Sequence, residues 1–145
     1  MLTYQVNLRR LDAHGGEARC KAARLAVDAD PAGRPDAFNP AELLLAALGA
    51  CMLKNIERVA PILKFRFDSV QLTVDGERQD SPPRMRQIRY RIVVATDESE
   101  QRLALLHRNL TEFGTVFNTL AAGVPIDGDI ERAPHHDLPA TAAQA

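Results

Sequence analysis

The sequence lacks several features that would assign it to a common functional class. It contains two cysteines, Cys20 and Cys51, which lie far apart, so it does not have the framework of a disulfide-stapled secreted domain. Its formal net charge is −1, and this argues against a general nucleic-acid-binding protein, which would carry an excess of basic residues. No phosphate-binding glycine motif, zinc-ligand spacing or Ser-His-Asp pattern stands out, so we predict neither a metal nor a cofactor.

Long hydrophobic segments are also missing. No signal peptide or membrane-spanning run is visible, so the cytoplasm is the expected location. A length of 145 residues with 46% hydrophobic and 26% charged residues is typical of one soluble domain with a real core. From Arg132 onward the chain is rich in Pro and Ala and has few large apolar residues. We therefore predict a single domain over residues 1–131 and a mobile tail over residues 132–145.

The chain is organised around one predicted helix with a well-marked start. Asn39 can cap the first free N–H groups, Pro40 suits the first helical position, and the Glu42 carboxylate can reach back to the cap. Residues 43–53 contain no charge, and a helix that is apolar on all sides is a buried one. The helix is expected to end near Pro61, because proline cannot continue a helix interior.

Alternation of apolar and polar residues predicts strands on both sides of this helix. We predict strands over residues 2–9, 17–27, 70–75, 87–94 and 124–130. A glycine turn joins the first pair, and the polar segment 76–83 joins the third and fourth strands as a hairpin. Helices are predicted over residues 98–109 and from a cap at Thr111 to Gly123. The order of strands, helix, strands, helices and strand predicts an α+β fold.

Two stretches of the sequence resemble a known family. Asn39-Pro40, followed by the run Glu-Leu-Leu-Leu-Ala-Ala-Leu-Gly-Ala-Cys at residues 42–51, resembles the first cysteine motif of the OsmC/Ohr family of osmotically inducible and organic hydroperoxide resistance proteins. Val-Phe-Asn-Thr-Leu at residues 116–120, then Gly-Val-Pro-Ile, resembles the segment around the family's second cysteine. The resemblance implies an α+β OsmC-like fold, with antiparallel sheets around a long buried central helix, in an intertwined homodimer with its sites at the interface.

The resemblance also implies a thiol-dependent peroxidase that defends against organic hydroperoxides through Cys51. In the peroxidase members the first cysteine attacks a hydroperoxide and becomes a sulfenic acid, which the second cysteine resolves as a disulfide. This chemistry needs a thiolate, because the thiol is a poor nucleophile. An external thiol reductant is the expected partner if Cys51 works alone.

The sequence departs from the family pattern at the residues around that thiol. The second cysteine aligns with Gly114, and the position of the family's site glutamate is Ala41. Arg19 is our first candidate for the family's site arginine, and with Cys51 it completes the predicted catalytic pair. Further candidates are Arg9, Arg10 and Arg24.

Other roles for these residues remain open at this point. Cys51 could be a small inert core residue, since free cysteine is among the most buried residue types. A Cys20–Cys51 disulfide is disfavoured, because alternation along a strand points Cys20 away from the face of Arg19. The alternative function, from a different class, is a non-enzymatic OsmC-like dimer that binds a small hydrophobic molecule at its interface.

The four histidines predict no metal site. His135 and His136 lie in the predicted tail without a further ligand pattern, His14 is expected in a turn, and His107 is expected on a helix surface.

Overall fold

The computed structural model describes residues 1–133 and confirms the α+β class. Its elements are β1 (Asn7–Asp12), β2 (Gly15–Cys20), β3 (Ala23–Asp28), α1 (Pro40–Leu63), β4 (Ser69–Asp80), β5 (Pro83–Ala95), α2 (Glu100–Glu112), α3 (Thr115–Ala121) and β6 (Ile126–Ala133). The chain divides into two compact units, Met1–Leu44 and Leu45–Ala145, which are described in turn.

The N-terminal unit contains an antiparallel sheet in the order β1-β2-β3. The predicted first strand begins at Asn7, later than residue 2. The predicted second strand was wrong as a single element, because it folds back on itself as β2 and β3. Lys21 has a positive φ of 56°, which closes a two-residue turn and lets Cys20 pair with Ala23.

The start of α1 agrees with the predicted capping arrangement. The Asn39 side-chain oxygen accepts a hydrogen bond from the Glu42 N–H at 2.9 Å, and the Glu42 carboxylate accepts one from the Asn39 N–H at 2.9 Å. Pro40 is the first helical residue. The two side chains thus satisfy two backbone donors that the helix cannot bond internally.

The end of α1 lies beyond the predicted stop at Pro61. The helix continues to Leu63, and Lys64 then takes a positive φ of 53°. The Lys64 N–H donates to the Pro61 carbonyl at 3.2 Å, and the Phe65 N–H donates to the Ala60 carbonyl at 2.8 Å. This pair of bonds is a Schellman motif, which terminates the helix through the backbone one turn after the proline.

Within one chain, α1 is buried along one face only, and not on all sides as its charge-free run predicts. Its buried residues are Leu48, Gly49, Met52, Asn55, Ile56, Val59 and Ala60. The opposite face includes Ala46, Ala47, Ala50 and Leu53, which are exposed. The helix therefore presents an uncovered apolar face in the single chain.

The C-terminal unit contains a second sheet in the order β4-β5-β6. The β4–β5 hairpin is confirmed but longer than predicted, since pairing continues through the expected turn to Asp80 and Pro83. The sheet is mixed, not antiparallel as expected, because β6 runs parallel to β5. Helices α2 and α3 form the crossover that a parallel pair requires.

The α2–α3 region differs from the prediction in its caps. Ser99 caps α2 by accepting from the Arg102 N–H at 3.2 Å, while Thr111 lies inside α2 and Gly114 precedes α3. The core of the unit joins the buried face of α1 to β5 and to Leu103, Leu106 and Leu110 of α2.

The last strand, β6, ends at Ala133 and so includes the first two residues of the predicted tail. The remaining tail residues, with His135 and His136, lie outside the described residues. No helix in residues 1–133 is long and apolar enough to cross a membrane.

Candidate functional site

Cys51 lies in the middle of α1, at the edge of its buried face. Its neighbours Leu48 and Met52 are fully buried, whereas Ala50 is exposed and Cys51 itself is half-buried as a free thiol. The sulfur is therefore neither sealed in the core nor displayed on an open surface. This placement allows a small molecule to reach the thiol.

The side chain of Asn55 contacts the sulfur from one helical turn further on. Its Nδ2 lies 3.9 Å from Cys51 Sγ, within hydrogen-bonding range for sulfur, and the residue is only 6% exposed. The spacing of four residues brings the two side chains together on one face of the helix. A buried amide is costly unless it is hydrogen-bonded, so this polar group needs a reason to be there.

Gly114, which we predict to occupy the position of the family's second cysteine, lies close to the same amide. A Cβ atom at Gly114 would lie 3.2 Å from Asn55 Nδ2, 3.1 Å from Phe117 Cβ and 3.0 Å from the Leu110 carbonyl oxygen. All three distances are tighter than ordinary contacts, so a side chain here would require its neighbours to shift. The amide of Asn55 therefore lies close to both Cys51 and Gly114.

Two exposed basic residues follow Cys51 on α1, Lys54 three positions on and Arg58 seven positions on. The Arg58 Nη2 also donates to the Phe113 carbonyl at 3.3 Å, which links α1 to the residue before Gly114.

Three of the four candidate arginines share one face of the N-terminal sheet. Arg19 pairs with Arg24 across β2 and β3, and Arg9 pairs with Glu17 across β1 and β2. The Arg19 side chain hydrogen-bonds Glu17, and this bond holds the pKa of the Glu17 carboxyl below its usual value of 4.5. Arg19 is thus placed in a charged cluster of the N-terminal unit.

The opposite face of that sheet is largely apolar. Strand alternation and the observed register place Leu8, Ala18, Cys20, Ala23 and Leu25 on it, together with Arg10. The prediction that Cys20 and Arg19 point to opposite sides is therefore confirmed. Both cysteines are free thiols.

His107, expected on a helix surface, is half-buried against Tyr90. Its Nε2 lies 2.5 Å from the Tyr90 hydroxyl, and its ring meets the Tyr90 ring edge-on. Burial lowers the pKa of His107 below 6.5 and raises the pKa of Tyr90 to about 12. Gly128 allows this packing, since a Cβ atom there would overlap the Tyr90 ring. No group of side chains in residues 1–133 is arranged to hold a metal ion.

These observations define an α+β protein with a half-buried thiol on its longest helix. The chain belongs to the OsmC-like protein family, whose model matches residues 33–128. No curated protein matches the sequence.

Several solved structures share the fold. The OsmC-like protein from Mycoplasma pneumoniae has a TM-score of 0.82 and 20% identity, with 91% of this chain and 98% of that chain covered. An organic hydroperoxide resistance protein OsmC from Legionella pneumophila has a TM-score of 0.66 and 19% identity, with coverages of 90% and 98%. The organic hydroperoxide resistance protein OhrB of Bacillus subtilis has a TM-score of 0.62 and 20% identity, with the same coverages. At these identities the likeness establishes the fold alone.

Asn55 is the site residue that sequence reasoning missed. The signal was present, since an amide at four residues from a cysteine interrupts an apolar helix face. The significance of Asn55 depends on the burial of its amide, and that burial is visible only from the packing of α1 and the position of Gly114.

Proposed function

We propose that the protein is a cytoplasmic thiol-dependent peroxidase that reduces organic hydroperoxides through Cys51. The proposal rests on one observation: Cys51 is half-buried and its sulfur lies beside the buried amide of Asn55. Both residues are on the helix that bears the family motif. Partial burial suits an apolar peroxide better than an open surface does, and the remaining exposure gives access to the sulfur. Arg19 remains our first candidate in the N-terminal unit for a cation that favours the thiolate.

The proposed reaction has two stages. In the first, the Cys51 thiolate attacks the terminal oxygen of the hydroperoxide, so an S–O bond forms as the O–O bond breaks. The sulfur becomes a sulfenic acid, and the leaving alkoxide takes a proton from water to give the alcohol. The peroxide has then been reduced by two electrons, which come from the sulfur.

In the second stage, an external low-molecular-weight thiol resolves the sulfenic acid. Its sulfur condenses with that of Cys51 and releases water, and a second thiol then displaces Cys51 as the external disulfide forms. The support for an external thiol is Gly114, which offers no sulfur where the family has its second cysteine. Cys20 follows Arg19 on β2 but points to the opposite face.

The proposed active form is a homodimer. Apolar side chains are exposed in both units of the single chain, including Leu8 at 67% and Phe113 at 55%. Leu53, on the uncovered face of α1, is 44% exposed. A second copy of the chain is the partner that the family resemblance implies for these surfaces.

The same exposed groups favour a second candidate function. Leu53 and Phe113 could receive a small hydrophobic molecule in a dimer that performs no catalysis, with Cys51 in a structural role. This candidate predicts that a small apolar ligand raises the melting temperature while the thiol stays inert towards peroxide.

Turnover of cumene hydroperoxide with dithiothreitol tests the proposed function. We expect the wild-type protein to accelerate peroxide loss at least about tenfold over dithiothreitol alone, and Cys51→Ser to abolish the acceleration. Cys20→Ser is the matched control and should keep the wild-type rate. A Cys51→Ser variant that retains turnover, or a wild-type protein without any, would exclude the peroxidase function.

A further inference from the structure

We propose that Asn55 is a catalytic residue of the Cys51 site, whose side-chain N–H stabilises the thiolate and then the sulfenic acid. This inference rests on the proposed peroxidase function. It assigns to Asn55 a direct contact with the reacting sulfur. Asn55 also lies close to Gly114, the position at which we expect the family's second cysteine.

The first support is the geometry of the amide. Asn55 Nδ2 is a donor only, and it faces Cys51 Sγ at 3.9 Å from a residue that is 6% exposed. In such a water-poor position a hydrogen bond to a charged acceptor is stronger than in bulk water. The bond therefore gains strength when the thiol becomes a thiolate, because the acceptor then carries a full negative charge.

The second support is the close approach of Gly114 to the same nitrogen. The absent Cβ of Gly114 would lie 3.2 Å from Asn55 Nδ2, so the backbone before α3 packs directly against the amide. The neighbouring link from Arg58 to the Phe113 carbonyl, at 3.3 Å, ties this segment to α1. The amide is thus held between the sulfur and the position that carries a resolving thiol in the family.

This arrangement has a consequence for the oxidised state. When the sulfur gains an oxygen, the Asn55 N–H that already faces the sulfur can donate to it, and Gly114 has no side chain to attack the sulfur. The sulfenic acid is therefore stabilised by Asn55 until an external thiol arrives.

The experiment measures iodoacetamide alkylation of Cys51 in full-length protein between about pH 6 and 9, in a Cys20→Ser background. In Asn55→Ala we expect the alkylation rate at pH 7 to fall about tenfold, because the thiolate loses a hydrogen-bond donor. Asn55→Leu, which retains the side-chain volume without a donor, should behave in the same way.

Asn109→Ala is the matched control. The Asn109 Nδ2 donates to the Leu105 carbonyl within α2, so removal of this side chain should leave the alkylation of Cys51 unchanged. Circular dichroism establishes that each variant is folded, and Asn55→Leu replaces Asn55→Ala if truncation prevents folding. Asn55 variants that are folded and keep the wild-type profile would overturn the inference. Alkylation requires no peroxide, so this result is independent of whether the protein reduces hydroperoxides.

Discussion

His14 and His107 lie in opposite electrostatic environments. His14 Nδ1 lies 2.6 Å from the Asp30 carboxylate, and this hydrogen bond raises the pKa of the histidine above 6.5. His107 is half-buried against Tyr90, and desolvation lowers its pKa below 6.5. The charged form is therefore favoured at the first residue and disfavoured at the second.

The two histidines should accordingly titrate on either side of pH 6.5 in an NMR titration. The sign of each effect on stability follows by linkage. The His14 contribution is fully present below pH 6.5 and is lost as the pH rises through the raised pKa of the folded state. For His107, stability decreases as the pH falls below 6.5, because the unfolded chain binds the proton more readily.

Asp30→Asn should return the His14 midpoint towards 6.5. Asp36→Asn is the control in the same loop, because Asp36 pairs with Arg34 instead. A His14 midpoint that does not respond to Asp30→Asn would contradict the assigned cause.

At the same scale, motif spacing in the sequence leads to Cys51 and Gly114, whose roles in the site stay predictions. It did not identify Asn55 or the burial of His107. Each of these depends on how a second element packs against a helix, and a local pattern does not contain that information.

Among the elements, α1 was the most predictable. Its start is determined by the reciprocal bonds of Asn39 and Glu42, which are local in sequence and readable from it. Its end was not, since Pro61 occupies the last turn and Lys64 provides the left-handed residue that terminates the helix. Glycine or asparagine usually adopts that conformation, so a lysine at this position does not predict the end of a helix.

Strand boundaries and pairing were less predictable than the strands themselves. The turn at Lys21 has no glycine to mark it, so β2 and β3 were read as one strand. The parallel pairing of β6 with β5 joins residues far apart in sequence, such as Ile88 and Ile126. Such pairing follows from the crossover through α2 and α3 and not from the composition of either strand.

For the molecule as a whole, the uncovered apolar surfaces predict a stable homodimer. Light scattering at micromolar concentration should give twice the mass of one chain, with an interface on the order of 2,000 Å² or more. The physical reason is that Leu8, Leu53 and Phe113 remain in water in a single chain. A stable monomer under these conditions would contradict the proposed homodimer.

The central claim is that Cys51 is a reactive thiol that works without an internal partner. The most direct measurement exposes the protein to cumene hydroperoxide with a dimedone-type sulfenic acid trap, followed by intact mass and peptide mapping. We predict one trapped adduct on Cys51, since Gly114 has no sulfur and Cys20 lies on the face of β2 opposite to Arg19. A loss of two hydrogens mapping to a Cys20–Cys51 disulfide, or a Cys51 that reacts only after denaturation, would contradict the claim.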